Sequence, residues 1–173
     1  FVASANCALY CGASVDFVDI DPRTRNIDVQ KLSGKLEQAK LTNGVPKVLI
    51  VVHFSGVSCD MQEIQKLTNQ YGVTLIEDAA HGLGGQYQDA KVGSCQYSDM
   101  TVLSFHPVKS ITSAEGGAVL TNQNVLFRQL SLFAKHGVTR DSSLMKSDSH
   151  GPWYYQQIEL GYNYRLSDLH AAL

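Results

Sequence analysis

No stretch of the 173-residue sequence gathers four or more basic residues, and fourteen Lys and Arg against sixteen Asp and Glu leave a formal net charge of −2. Without a basic patch there is nothing to neutralise a phosphate backbone, so nucleic acid is excluded as a main partner. Long hydrophobic runs are also lacking. The longest apolar strand-like run, Val48 to Val52, falls far below the roughly 20 residues a membrane helix needs. The four cysteines, Cys7, Cys11, Cys59 and Cys95, form no C-x-x-C pair, and no histidines cluster at ligand spacing. Neither a zinc site nor a disulfide framework is expected, and reduced thiols in a cytoplasmic protein are the default. With 14 Gly, 4 Pro and 44% apolar residues, collagen, coiled coil and wholesale disorder are excluded. What remains is a chain able to bury one sizeable core.

The chain opens on Phe1 rather than Met, and its apolar start lacks the basic segment of a signal peptide, so it reads as part of a longer protein. The other end agrees: Ser167 is a good N-cap for a helix that begins at Asp168 and runs only to Leu173.

Hydrophobic periodicity predicts an α/β layer structure. Ser14 to Ile20 alternates in polarity like a half-buried strand, whereas Val48 to Val52 is apolar throughout, like a parallel strand covered on both faces. Between them, Val29, Leu32 and Leu36 set a helix across Asp28 to Leu41, stopped by Thr42-Asn43-Gly44-Val45-Pro46. The unit repeats: Asp60 reads as the N-cap of a helix carrying Met61, Ile64, Leu67 and Tyr71, closed by Gly72, and Val73 to Ile76 follows as a buried strand. Met100 to Phe105 and Gly117 to Thr121 read as strands, and Val125 to His136 as a helix ended by Gly137. Residues 138 to 160 lose periodicity and suggest a long functional or mobile loop.

Ligands of open α/β sheets gather outside the carboxyl ends of the strands. The polar residues there are His53, Ser55 and Gly56, then Glu77, Asp78 and His81, then His106 and Lys109. Asp78 and Lys109 are the informative pair. A lysine can form an imine with an aldehyde, and a carboxylate can keep a pyridine nitrogen protonated so that the ring accepts electrons, which is what a pyridoxal phosphate site requires. The alternative is an ordinary salt bridge or solvated loop charges. Gly82-Leu83-Gly84-Gly85 does not fit the dinucleotide fingerprint, and a Walker loop and a Gly-x-Ser-x-Gly elbow are absent.

Five blocks carry a resemblance: Phe1-Val2-Ala3-Ser4-Ala5-Asn6, Ile76-Glu77-Asp78-Ala79-Ala80-His81, Ser104-Phe105-His106-Pro107-Val108-Lys109, Ala114-Glu115-Gly116-Gly117-Ala118-Val119 and Gly161-Tyr162-Asn163-Tyr164-Arg165-Leu166-Ser167-Asp168. In this order they resemble the DegT/DnrJ/EryC1/StrS family, the pyridoxal-phosphate-dependent sugar aminotransferases of the aspartate aminotransferase fold (fold type I). The resemblance implies a three-layer, mostly parallel sheet. It also implies that residues 1–173 are a partial coenzyme-binding large domain, without the upstream phosphate-binding turn and the small C-terminal domain.

By matching position, the resemblance makes Lys109 the Schiff-base lysine, Asp78 the partner of the pyridine nitrogen and His81 the residue against the ring face. Ser104 would bond the coenzyme phosphate, and Asn163 would reach the phosphate of a neighbouring subunit's site, which makes a homodimer part of the mechanism. It implies amino transfer, with glutamate as donor, to a nucleotide-linked keto-sugar. Gly151-Pro152-Trp153-Tyr154-Tyr155 leading to Gly161-Tyr162-Asn163-Tyr164-Arg165 is similar to the branch that aminates a UDP-linked 4-keto-6-deoxy sugar toward pseudaminic acid. The related sugar dehydratases carry His in place of the imine lysine, and Lys109 stands against that reading. A non-catalytic binding or regulatory protein of the same fold, and an unrelated nucleotide-binding α/β module, are the competing readings.

Overall fold

The computed structural model describes residues 1–173, which divide into two compact units, Phe1–Asn122 and Gln123–Leu173. In the first unit the chain runs through α1 (Ala3–Tyr10), α2 (Val29–Leu41), β1 (Val48–Val52), α3 (Met61–Tyr71) and β2 (Thr74–Asp78). A short hairpin follows, β3 (Gln86–Tyr87) and β4 (Ala90–Lys91), then β5 (Met100–Ser104) and β6 (Gly117–Leu120). The main sheet has the order β1-β2-β5-β6, with β1, β2 and β5 parallel and β6 antiparallel to β5. The expected α/β, mostly parallel sheet is therefore present. None of its helices is long and apolar enough to cross a membrane.

The helices form where the sequence caps them. Asp28 accepts the backbone N–H groups of Gln30 and Lys31, satisfying two donors that the first turn of α2 leaves free. Leu32 and Leu36, four apart, then reach the core together, each worth about 1.5–3 kcal/mol when buried. Helix α3 stops at Gly72, whose left-handed φ of 68° suits a residue without Cβ. Asp60 does not cap α3 through its side chain; that carboxylate accepts the Tyr87 hydroxyl instead.

Strand alternation decides what lies where. In parallel pairing, residues in register project to the same side. Leu49, Val51, Leu75, Glu77, Thr101 and Leu103 thus share one face, and α2 and α3 cover it with Leu32, Leu36, Met61 and Ile64. Ile50, Ile76, Asp78, Val102 and Ser104 share the other face and are half-buried.

Two sequence expectations fail here. Ser14 to Ile20 is not a strand: only Ile20 pairs, through an isolated bridge to Ile27. Its alternating acids have local partners instead, Asp16 on Lys35 and Asp19 on Lys31. Strand β1 is not covered on both faces either. It forms the edge of the sheet, with Val48 exposed and Val51 alone fully buried.

In the second unit, α4 (Asn124–Phe133) ends three residues before the expected His136. His136 and Gly137 both have left-handed φ, 60° and 67°, and the His136 N–H is spent on the Tyr162 carbonyl. Residues 138 to 160 form a long hairpin, in which β7 (Val138–Thr139) pairs antiparallel with β8 (Gln156–Gln157). The chain returns through a bridge between Lys135 and Asn163 to α5 (Asp168–Ala171), where Ser167 caps the His170 N–H as expected.

Candidate active site

The carboxyl ends of β1, β2 and β5 open on one edge of the first unit, because the three strands are parallel. Asp78 is the last residue of β2 and Ser104 the last of β5, on the same face of strands that lie about 4.8 Å apart. The sequence reading ended the earlier strand at Ile76; it continues two residues further, so a strand rather than a loop holds Asp78.

Asp78 is half-buried. Its Oδ1 accepts the Ala80 N–H at 3.2 Å, and its Oδ2 accepts the hydroxyl of Ser4 in α1 at 2.6 Å. No Lys, Arg or His pairs with it. Lys109 lies in the loop between β5 and β6, its backbone N–H on the His106 carbonyl at 2.9 Å. It too is half-buried and forms no ion pair. The loop is stitched at Phe105, which donates to the Gly116 carbonyl and accepts from Ser113 and Thr112. Ser104 Oγ accepts the His106 N–H at 3.4 Å, and His106 Nδ1 accepts the Val108 N–H at 3.3 Å.

His81 is exposed, one turn beyond Asp78. Gly56, with φ of 84°, fits under it: a Cβ there would lie 2.7 Å from the His81 carbonyl oxygen. Asn163 belongs to the second unit. It is exposed, and its side-chain oxygen accepts Arg165 Nε at 2.9 Å. The first unit thus gathers Asp78, Lys109, Ser104 and His81 along one sheet edge.

Two further strand-end residues turn away. His53 and Glu77 are 1% and 5% exposed and belong to the core face. His53 Nδ1 accepts the Cys59 N–H at 3.2 Å, so the ring proton sits on Nε2 and is donated to Glu77 Oε2 at 2.7 Å. Glu77 Oε1 accepts the hydroxyls of Ser98 and Thr101. Burial works to raise the Glu77 carboxyl above its ordinary range, but the donors from His53, Ser98 and Thr101 together outweigh it and hold the group below that range. Burial pushes the Cys59 thiol up to about 12.

Ser4 lies in the first block of the resemblance but was given no role there, because no helix was expected at Ala3–Tyr10 and nothing local ties that segment to β2. It also did not foresee a cleft in the second unit lined by Lys135, His136, Val138, Arg140, Tyr155 and Arg165.

The donor set fits pyridoxal phosphate: a carboxylate bonded only by neutral donors, an unpaired primary amine, a hydroxyl and an imidazole at one sheet edge.

Comparison with known proteins places the chain in a family. The chain is 43% identical over 173 residues to the UDP-4-amino-4,6-dideoxy-N-acetyl-beta-L-altrosamine transaminase of Campylobacter jejuni strain 81-176, covering all of this chain and 42% of that protein. It superposes on Helicobacter pylori PseC, an aminotransferase involved in the biosynthesis of pseudoaminic acid, with a TM-score of 0.83 and 34% identity over 99% of this chain and 42% of the other. It also matches Bacillus subtilis NtdA, solved with bound cofactor PMP, with a TM-score of 0.79 and 31% identity over 99% of this chain and 35% of the other. The chain therefore spans about two fifths of the length of these relatives. The DegT/DnrJ/EryC1/StrS aminotransferase family matches it across residues 1–173, and the chain belongs to that family.

Proposed function

We infer that the whole protein is a pyridoxal-phosphate-dependent aminotransferase that moves an amino group, with glutamate as donor, onto a nucleotide-linked 4-keto-6-deoxy sugar. The observation that carries this reading is that Asp78 and Lys109, at the mouths of adjacent parallel strands, do not neutralise each other or anything else. Of the two competing explanations of the pair, an ordinary salt bridge is not formed, and solvated loop charges are disfavoured at two half-buried side chains, one of them held by Ser4 and Ala80.

The coenzyme, when bound, would supply an electron sink and a carrier for the amino group. Lys109 Nζ would hold it covalently. Once displaced by the donor's amine, the same nitrogen would take a proton from one carbon and return it to another, as base and then acid. Asp78 would hold the proton on the ring nitrogen, His81 would lie against the ring, and Ser104 would bond the phosphate. Asn163, whose amide nitrogen is not engaged, would serve the phosphate of a partner subunit in a homodimer. In this reading residues 1–173 are part of the coenzyme-binding domain.

An anionic, diphosphate-bearing substrate is supported by the second-unit cleft, where Lys135, Arg140 and Arg165 stand without an acidic lining residue. The similarity to the altrosamine transaminase and to PseC supports a UDP-linked sugar on the way to pseudaminic acid.

Absorbance tests the proposal. The whole protein mixed with pyridoxal phosphate develops the visible band of lysine-linked coenzyme, glutamate bleaches it, and Lys109→Ala never develops it. A band that persists in Lys109→Ala refutes the assignment of the lysine. A band that glutamate leaves unchanged refutes amino transfer from that donor and favours a binding role.

A further inference from the structure

Helix α1 buries no residue completely, yet one of its side chains makes a hydrogen bond across 74 positions of sequence, from Ser4 Oγ to Asp78 Oδ2 at 2.6 Å. Ser4 sits in the first turn of α1, where no carbonyl lies four residues earlier for its hydroxyl to bond. Ser4 reaches the strand end instead. Resting on the proposed role of Asp78, we propose that Ser4 is a positioning residue: its hydroxyl fixes the rotation of the Asp78 carboxylate so that the coenzyme's ring nitrogen meets a pre-oriented acceptor.

The chemistry of the tether matters as much as its length. A carboxylate offers about four acceptor sites. The Ala80 N–H takes one on Oδ1 and Ser4 takes one on Oδ2, which leaves capacity for a third donor. Both existing donors are neutral, so they hold the group in place without cancelling its charge. A lysine or arginine at position 4 would orient the carboxylate equally well and neutralise it, and the ring nitrogen would then lose the counter-charge that keeps it protonated. A hydroxyl is the smallest group that orients and leaves the charge available. It also ties the placement of α1 to the electronic state of the site, since the helix and the carboxylate share one hydrogen bond.

The experiment uses the whole protein loaded with coenzyme labelled with nitrogen-15 in the ring, whose resonance reports the proton on that nitrogen independently of turnover. Four forms are compared: wild type, Ser4→Ala, Ser4→Thr and Asp78→Asn. Asp78→Asn should move the resonance toward the unprotonated position. Ser4→Ala should move it part of the way and slow the glutamate half-reaction at saturating coenzyme about tenfold, the loss expected for one hydrogen bond to a charged group. Ser4→Thr, which keeps the hydroxyl, should restore both. If Asp78→Asn shifts the resonance and Ser4→Ala does not, the role of Ser4 is refuted and that of Asp78 stands, even where Ser4→Ala lowers stability or coenzyme affinity. If Asp78→Asn leaves the resonance unmoved, the underlying reading of Asp78 fails and the proposal falls with it.

Discussion

Replacing His53 by Phe keeps most of the ring volume while removing both of its hydrogen bonds, and the structure fixes what that does. The Cys59 N–H, which His53 Nδ1 accepts at 3.2 Å, is left buried without a partner. An orphaned neutral donor costs about 1–3 kcal/mol. Glu77 Oε2 loses the 2.7 Å donor that helps keep a 5%-exposed carboxylate charged, a hydrogen bond to an ion worth about 1.5–3 kcal/mol. Together these predict a loss of about 2.5–6 kcal/mol, which brackets the range for breaking a buried pair from one side. Urea unfolding of the whole protein, followed by intrinsic fluorescence, is the assay. The companion change is Glu77→Gln. Its amide oxygen can still accept from His53 Nε2, and its NH₂ can donate to Ser98 and Thr101 once those hydroxyls rotate, so it should cost only about 1 kcal/mol. A loss below about 1 kcal/mol in His53→Phe would refute the argument. A large loss in Glu77→Gln would show that the imidazole carries charge, contrary to the tautomer that the Cys59 N–H imposes.

The same carboxylate predicts an acid limb. The folded Glu77 sits below its ordinary value of 4.5, so its stabilising contribution is complete above that value and disappears as pH falls through the lower, folded one. Urea midpoints measured downward from pH 5 should fall less steeply in Glu77→Gln than in wild type, and equal slopes would refute this. The Cys59 thiol, raised to about 12 by burial, should resist iodoacetamide at pH 8 until the protein unfolds; rapid native alkylation at that residue, read by peptide mass mapping, would contradict it. Gly137→Ala should destabilise the second unit by several kcal/mol, because φ is +67° there and an added Cβ would overlap the Glu159 carbonyl. Limited proteolysis should cut that variant between residues 138 and 157 while wild type resists, and equal resistance would show that the hairpin has room.

What the sequence disclosed was whatever one local segment determines. The period of Leu32 and Leu36, the Asp28 cap and Gly72 each act within a few residues, and α2 and α3 formed where they were expected. Ser14 to Ile20 misled because alternation describes a strand only if a neighbour supplies hydrogen bonds, and its acids found lysines on α2 instead. In the Glu77-Asp78 pair the two acids look alike in sequence and lie on opposite faces of the sheet, one locked into the core with His53 and the other half-buried at the strand end with Ser4. Period alone gives the opposition, but only the packing of α2 and α3 says which face is the core. The Ser4 hydrogen bond spans 74 positions and leaves no local trace. The motif residues Asp78, Ser104, His81 and Lys109 were legible as a set because their types and order, rather than their three-dimensional placement, carry the resemblance.

Gly56 sits so close beneath His81 that a methyl group there would press on the backbone of the next strand's exit. The backbone course at His81 is therefore constrained by the turn that leaves β1, a segment remote from it in sequence. Any side chain at position 56 would force the segment beyond β2 to shift, so a change outside the strand-end residues would be felt in the backbone that carries His81.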